Sequence, residues 1–137
     1  MSSSQSPYSL DLLTESITTP ILWGDMDAYG HVNNGAYLRW FEEVRVRMFS
    51  KFLPENILHM IVKTEINYRS AIRHPGKVNT LCSVTKAGNT SLTIDFKIFQ
   101  KNTDNIKSES TVCDGHGVIV LWDNDLQEKR LIRDFFT

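Results

Sequence analysis

Long apolar runs, paired cysteines and an excess of either charge are all missing from this 137-residue chain. No stretch approaches the roughly 20 apolar residues that span a bilayer, so no membrane partner is expected. The start, MSSSQSPYSLDLL, has neither the basic n-region nor the apolar h-region of a signal peptide, and a cytoplasmic protein is expected. Fifteen Lys and Arg against sixteen Asp and Glu leave a net charge of −1. That balance gives no global electrostatic footprint for nucleic acid. Cys82 and Cys113 stand alone, without the CxxC spacing of metal or redox motifs, and two buried thiols are expected. His59, His74 and His116 have no partner at metal-ligand spacing and read as solvated or satisfied side chains. No metal and no cofactor is implied.

What is present is an ordinary globular composition, 41% hydrophobic and 23% charged, in a chain long enough for one packed domain. Residues 1–15 read as a flexible polar tail, with order beginning near Ile17 and a single domain over 16–137. Thr18 to Trp23 suggests a first strand, stopped by the turn-forming run Gly24 to Gly30. Ala36, Tyr37, Trp40, Phe41, Val44, Met48 and Phe52 recur at three- and four-residue spacing and predict a helix from Asn34 to Phe52, ended by Pro54. Asn33 or Asn34 would cap it, and Arg39–Glu43 and Glu43–Arg47 would pair on its wetter face.

Four strands follow. Met60, Val62, Thr64, Ile66 and Tyr68 alternate with polar or outward residues as in a half-buried strand. Val78 to Lys86, Leu92 to Ile98 and Lys107 to Trp122 supply the others, separated by Gly88-Asn89 and by Asn102-Thr103-Asp104-Asn105. Asp125 to Phe136 reads as a terminal helix or an irregular tail. The order predicts an α+β fold, one helix against an antiparallel sheet.

The chemistry concentrates in WGDMDAYGHVNNGAYLRWFEE, Trp23 to Glu43, where two acids, a His and two Asn precede the helix. A carboxylate there faces the unpaired N–H groups of a helix N-terminus, and those groups can also hold the oxygen of a polarised carbonyl. Acid or base plus oxyanion donor is the minimum set for acyl hydrolysis.

This stretch resembles the signature of the 4-hydroxybenzoyl-CoA thioesterase-like group of hot-dog proteins: Asp, a short spacer, Gly-His-Val-Asn-Asn, Tyr, then a helix carrying Glu-Glu and Arg. The strong motif covers Trp23 to Arg45; a weaker likeness continues through Asn67-Tyr68-Arg69 and Pro75-Gly76 to Trp122. The resemblance implies a five-stranded antiparallel sheet wrapped around one long helix. It implies an acyl-CoA thioester hydrolase, with Asp27 as general base or nucleophile and the Asn34 backbone N–H as oxyanion donor. By the same likeness Asp25 is structural.

Other readings of these residues stand beside the resemblance. Asp27 alone could be a turn or capping residue. His31 could orient Asp27 or the substrate, or brace the loop, and Gly30 belongs to the same turn. Tyr37 is core or pocket wall. After Pro75-Gly76 the family usually carries an acid, whereas this chain has Lys77, which joins Arg69, Arg73 and His74 in a basic run. Arg69, Arg73 and Lys77 could hold coenzyme A phosphates or form a solvated loop. The usual prolines near the end are also absent. An acyl-CoA substrate and a homodimer or homotetramer are the expected partners; a catalytically silent acyl-thioester binding module and a hot-dog hydratase are the rival functions.

Overall fold

A computed structural model of the chain describes residues 7–101 and 110–137. Strand β1 (Thr14–Pro20) is followed by helix α1 (Asn34–Phe49), β2 (Ile57–Tyr68), β3 (Lys77–Ala87), β4 (Ser91–Lys101) and β5 (Ser110–Asp123), with a two-residue β6 (Glu128–Lys129). The sheet is antiparallel throughout, in the order β1-β3-β4-β5-β2, with β6 pairing only the end of β5. One helix lies against five main strands, the hot-dog arrangement expected from the sequence.

Helix α1 forms where it does for local reasons. Asn33 has extended backbone and its side chain accepts from the Gly35 N–H at 2.8 Å, satisfying one of the donors a helix start leaves open. The helix ends at Phe49, three residues before the expected boundary, because the chain tightens at Ser50 and closes an Phe52 N–H to Phe49 carbonyl bond ahead of Pro54. Ala36, Tyr37, Trp40, Phe41, Val44 and Met48 are buried as their spacing requires, and Phe49 and Arg45 join them. Phe41 stacks on Phe96 of β4, centroids 4.0 Å apart, which seats the helix over the middle of the sheet. Of the two expected surface pairs, Arg39–Glu43 forms at 3.6 Å; Glu43–Arg47 is not among the ion pairs of the described residues.

Several expectations need correction. The first strand runs Thr14–Pro20 rather than Thr18–Trp23, since Pro20 ends the pairing with Lys77 and Trp23–Asp25 turns as a 3-10 helix. Residues 8–15, expected within a loose tail, pack: Tyr8 exchanges backbone bonds with Phe135 and Thr137, and Leu13 is fully buried. The C-terminal segment is neither a helix nor wholly irregular; it pairs as β6 and turns as a 3-10 helix over Ile132–Asp134. Strand β2 is not half-buried. Leu58, Met60, Ile61, Val62 and Tyr68 are all exposed, because β2 is an edge strand with a bulge between Ile61 and Lys63 and nothing in one chain covers it. The expected turn Asn102 to Asn105 and the start of the last strand at Lys107 lie outside the described residues.

Glycine has one strict role in the sheet. A Cβ at Gly115 of β5 would lie 2.0 Å from the Glu65 carbonyl oxygen, so β2 and β5 approach too closely there for any side chain. Cys82 and Cys113 are free and buried, and burial pushes both thiols up to about 12.

Candidate active site

Between β1 and α1 the chain folds back on itself. The Asp27 N–H donates to the His31 carbonyl at 2.8 Å and Gly30 N–H to the Asp27 carbonyl at 3.1 Å, with Gly30 at φ +78°, where a side chain would be strained. Val32 N–H bonds the Ile72 carbonyl and Asn33 N–H the Asp25 carbonyl, both at 2.8 Å. The loop is therefore closed on itself and tied to the segment between β2 and β3.

The two acids of the loop have opposite surroundings. Asp25 is 4% exposed; its Oδ1 lies 2.7 Å from Arg39 Nη1 and its Oδ2 accepts the Leu22 N–H at 2.8 Å. Burial opposes its ionisation, yet the hydrogen bonds from Arg39 and Leu22 outweigh that, and the carboxyl is held below its ordinary value. Asp27 is half-buried, and only its Oδ1 is engaged, by the N–H groups of Tyr29 at 2.9 Å and His31 at 3.4 Å. Its Oδ2 has no hydrogen bond among the described residues. One oxygen fixes the orientation and the other is left without a hydrogen bond among the described residues.

Asp27 opens on a cleft of about 370 Å³ lined also by Tyr29, His31, Asn34, Tyr37, Tyr68 and Arg69. The Asn34 N–H, at the first position of α1, has no partner among the described residues. Tyr68, which the sequence offered as a strand residue and as part of a weaker likeness, donates its hydroxyl to the Asn34 carbonyl at 3.3 Å and packs edge-on against Tyr37 at 5.3 Å. Burial pushes the Tyr37 phenol up to about 12 and raises Tyr68, so both remain neutral donors near pH 7.

The cleft thus gathers Asp27, His31, Asn34, Tyr37 and Arg69. Gly30 shapes the turn behind them. Arg73 stands outside the lining but touches it, its Nη2 3.3 Å from His31 Nε2. Arg69 has its fork committed, Nε and Nη2 each 3.0 Å from Asp114. Lys77 opens β3 opposite Pro20 and Lys101 and does not line the cleft. Among the described residues no three His, Cys, Asp or Glu side chains come together as a metal site.

With one helix over an antiparallel sheet and a loop acid in the cleft at its start, the chain also matches a family model. The family described as "Thioesterase-like superfamily" covers residues 21–137. This chain belongs to the thioesterase-like superfamily. Solved structures agree on its fold. The PA2801 protein of Pseudomonas aeruginosa superposes with TM-score 0.73 at 24% identity, covering 85% of this chain and 90% of that one. DHNA-CoA thioesterase from Staphylococcus aureus gives 0.73 at 18% identity, over 87% and 80%. A variant of 4-hydroxybenzoyl-CoA thioesterase complexed with 4-hydroxybenzoyl-CoA gives 0.75 at 16% identity, over 87% and 91%. No curated protein sequence matches. Among the described residues of this thioesterase-like chain, no helix is long and apolar enough to cross a membrane.

Proposed function

We propose that this protein hydrolyses acyl-CoA thioesters, with Asp27 as the reacting carboxylate. The observation that carries the reading is the half-engaged Asp27: Oδ1 anchored by two backbone N–H groups, Oδ2 free, in a cleft shared with the unpaired Asn34 N–H. Membership of the thioesterase-like superfamily supports a thioester hydrolase.

The chemistry asks for little more. A thioester carbonyl is already electrophilic, so an aimed water or the carboxylate itself can attack it. Negative charge then builds on the carbonyl oxygen, and the Asn34 N–H at the positive end of α1 would hold that oxygen. Tyr68, bonded to the Asn34 carbonyl of the following peptide, tethers the residue that carries this N–H. Arg73 carries no ion pair among the described residues and is the freer cation for a coenzyme A phosphate, Arg69 having spent most of its donors on Asp114. The exposed edge of β2 would be covered by a second copy of the chain in a homodimer or homotetramer.

Steady-state hydrolysis over a panel of acyl-CoA lengths identifies the substrate, and Asp27→Asn tests the mechanism. With the best substrate, turnover should fall at least about a hundredfold in a variant that keeps its fold. Near-normal turnover in folded Asp27→Asn would sink the mechanism and favour a silent acyl-thioester binder.

A further inference from the structure

The segment between β2 and β3 grips the site loop at three successive residues. The Ile72 carbonyl accepts the Val32 N–H at 2.8 Å, Arg73 Nη2 lies 3.3 Å from His31 Nε2, and the His74 N–H lies 3.2 Å from Met26 Sδ. Two backbone anchors therefore flank Arg73, whose exposed side chain reaches the loop between them. The other guanidinium of this segment is committed elsewhere, Arg69 being paired with Asp114 at 3.0 Å.

The Arg73–His31 contact fixes more than a position. A guanidinium offers N–H donors and no acceptor, so it bonds a ring nitrogen only where that nitrogen carries no proton. Nε2 is then the acceptor and Nδ1 the N–H, the reverse of the form that a free neutral imidazole favours, because the bond made by one ring nitrogen sets where the proton sits. His31 Nδ1 has no hydrogen bond among the described residues, and the side chain lines the cleft with Asp27 and Asn34. The same residue is tied to the reacting carboxylate through the backbone. Its carbonyl accepts the Asp27 N–H at 2.8 Å and its own N–H donates to Asp27 Oδ1 at 3.4 Å.

We infer that Arg73 is a positioning residue that holds His31 as the Nδ1–H tautomer, so that His31 meets a substrate carbonyl as a hydrogen-bond donor and leaves Asp27 as the base of the cleft. The inference rests on the thioester hydrolase reading for the substrate, though not for the tautomer. A carboxylate and an imidazole are the two kinds of base that line the cleft, and Arg73 occupies the imidazole nitrogen that would accept a proton. One donor of Arg73 goes to His31, and the rest of its fork remains for a coenzyme A phosphate.

The test is nitrogen NMR of the histidine rings in the full chain at about pH 8.5, above the ordinary histidine range. Wild type should show His31 as Nδ1–H. Arg73→Met, at an exposed position, should return it to Nε2–H with circular dichroism unchanged, and Asp27→Asn should leave it as in wild type. Turnover is then read on an acyl-CoA and on the matching N-acetylcysteamine thioester, which has no phosphate. Arg73→Met should lower kcat at least about tenfold on both, whereas a residue that only held phosphate would raise KM for the acyl-CoA alone. His31→Asn, whose amide N–H stands near the place of Nδ1–H, should keep at least about threefold more turnover than His31→Gln. Nε2–H in wild type, an unchanged tautomer in Arg73→Met, or an effect confined to KM for acyl-CoA would each overturn the role of Arg73. His31→Gln as active as His31→Asn would overturn the donor role of His31. If wild type hydrolyses neither thioester while its His31 is Nδ1–H and Arg73→Met loses that form, the hydrolase reading falls and the hold of Arg73 on His31 stands.

Discussion

Arg39 reaches back from the second turn of α1 to place Nη1 2.7 Å from Asp25 Oδ1, fastening the loop that bears Asp27 to the helix that bears Asn34. The two proposed catalytic atoms belong to different elements, and this ion pair spans them. Asp25 is therefore a brace, and Asp27, two residues on, is left free of it.

Removing the Arg39 side chain strands a buried carboxylate. Arg39→Met should lower stability by about 2 kcal/mol, below the roughly 3–5 kcal/mol of a fully buried pair because Arg39 is itself 43% exposed. Chemical denaturation with urea measures it. Asp25 has a lowered folded pKa, so its contribution is present above its ordinary value of 3.8 and is lost as pH falls through the lower folded value. Asp25→Asn should accordingly flatten the acid limb of the stability curve below about pH 4, while Asp27→Asn should change turnover instead. An unchanged acid limb in Asp25→Asn would deny the brace.

His59 has the opposite ionisation preference to a solvated histidine. Burial, then the nearby Arg45 charge, push its pKa down to about 4 from 6.5. The unfolded chain takes up that proton near pH 6.5 and the folded one only near 4, so stability falls as pH drops through that window. His59→Phe should remove this part of the slope between pH 6.5 and 4. Guanidinium melts at half-unit pH intervals, compared with wild type, would show it; identical slopes would mean that the ring titrates freely.

Gly115 is expected to tolerate no substitution. Gly115→Ala forces β5 away from the Glu65 carbonyl, and a cost of at least about 3 kcal/mol is expected, at the upper end of overpacking penalties. Gly24→Ala is the control, since a Cβ there meets nothing within 4 Å. Thermal unfolding of the pair should separate them by about ten degrees or more; equal melting would show that the strands part cheaply.

The open edge of β2 carries a prediction about assembly. Val62, 59% exposed, and Met60 offer apolar surface along a strand with one open edge, which an isologous copy can bury. Sedimentation should show a dimer or tetramer at micromolar concentration, and Val62→Lys should shift it toward monomer by placing like charges together across the two-fold. A stable wild-type monomer that still hydrolyses acyl-CoA would contradict a shared interface.

The sequence by itself determined what depends on neighbours along the chain. A cap at Asn33 or Asn34, the apolar stripe from Ala36 to Met48, the strand alternation of β4 and the turn at Gly30 are local rules, legible without a fold. The density of chemistry from Trp23 to Glu43 was legible for the same reason, and with it the loop where the candidate site stands. Tertiary structure decided what depends on residues far apart. Tyr8 meets Phe136 because residues 8 and 136 come together, and Leu13 enters the core beside β3, its carbonyl accepting from the Val84 N–H at 3.0 Å, neither of which the composition of the first fifteen residues could signal. The pattern in β2 reads as half-buried, but its burial depends on a covering surface that one chain does not provide. Tyr68 reaches Asn34 and Arg69 is spent on Asp114 across dozens of residues of chain, and Arg45 is buried where α1 meets the sheet. Periodicity ranks side chains by their own polarity, whereas burial of an arginine is set by the geometry of what surrounds it.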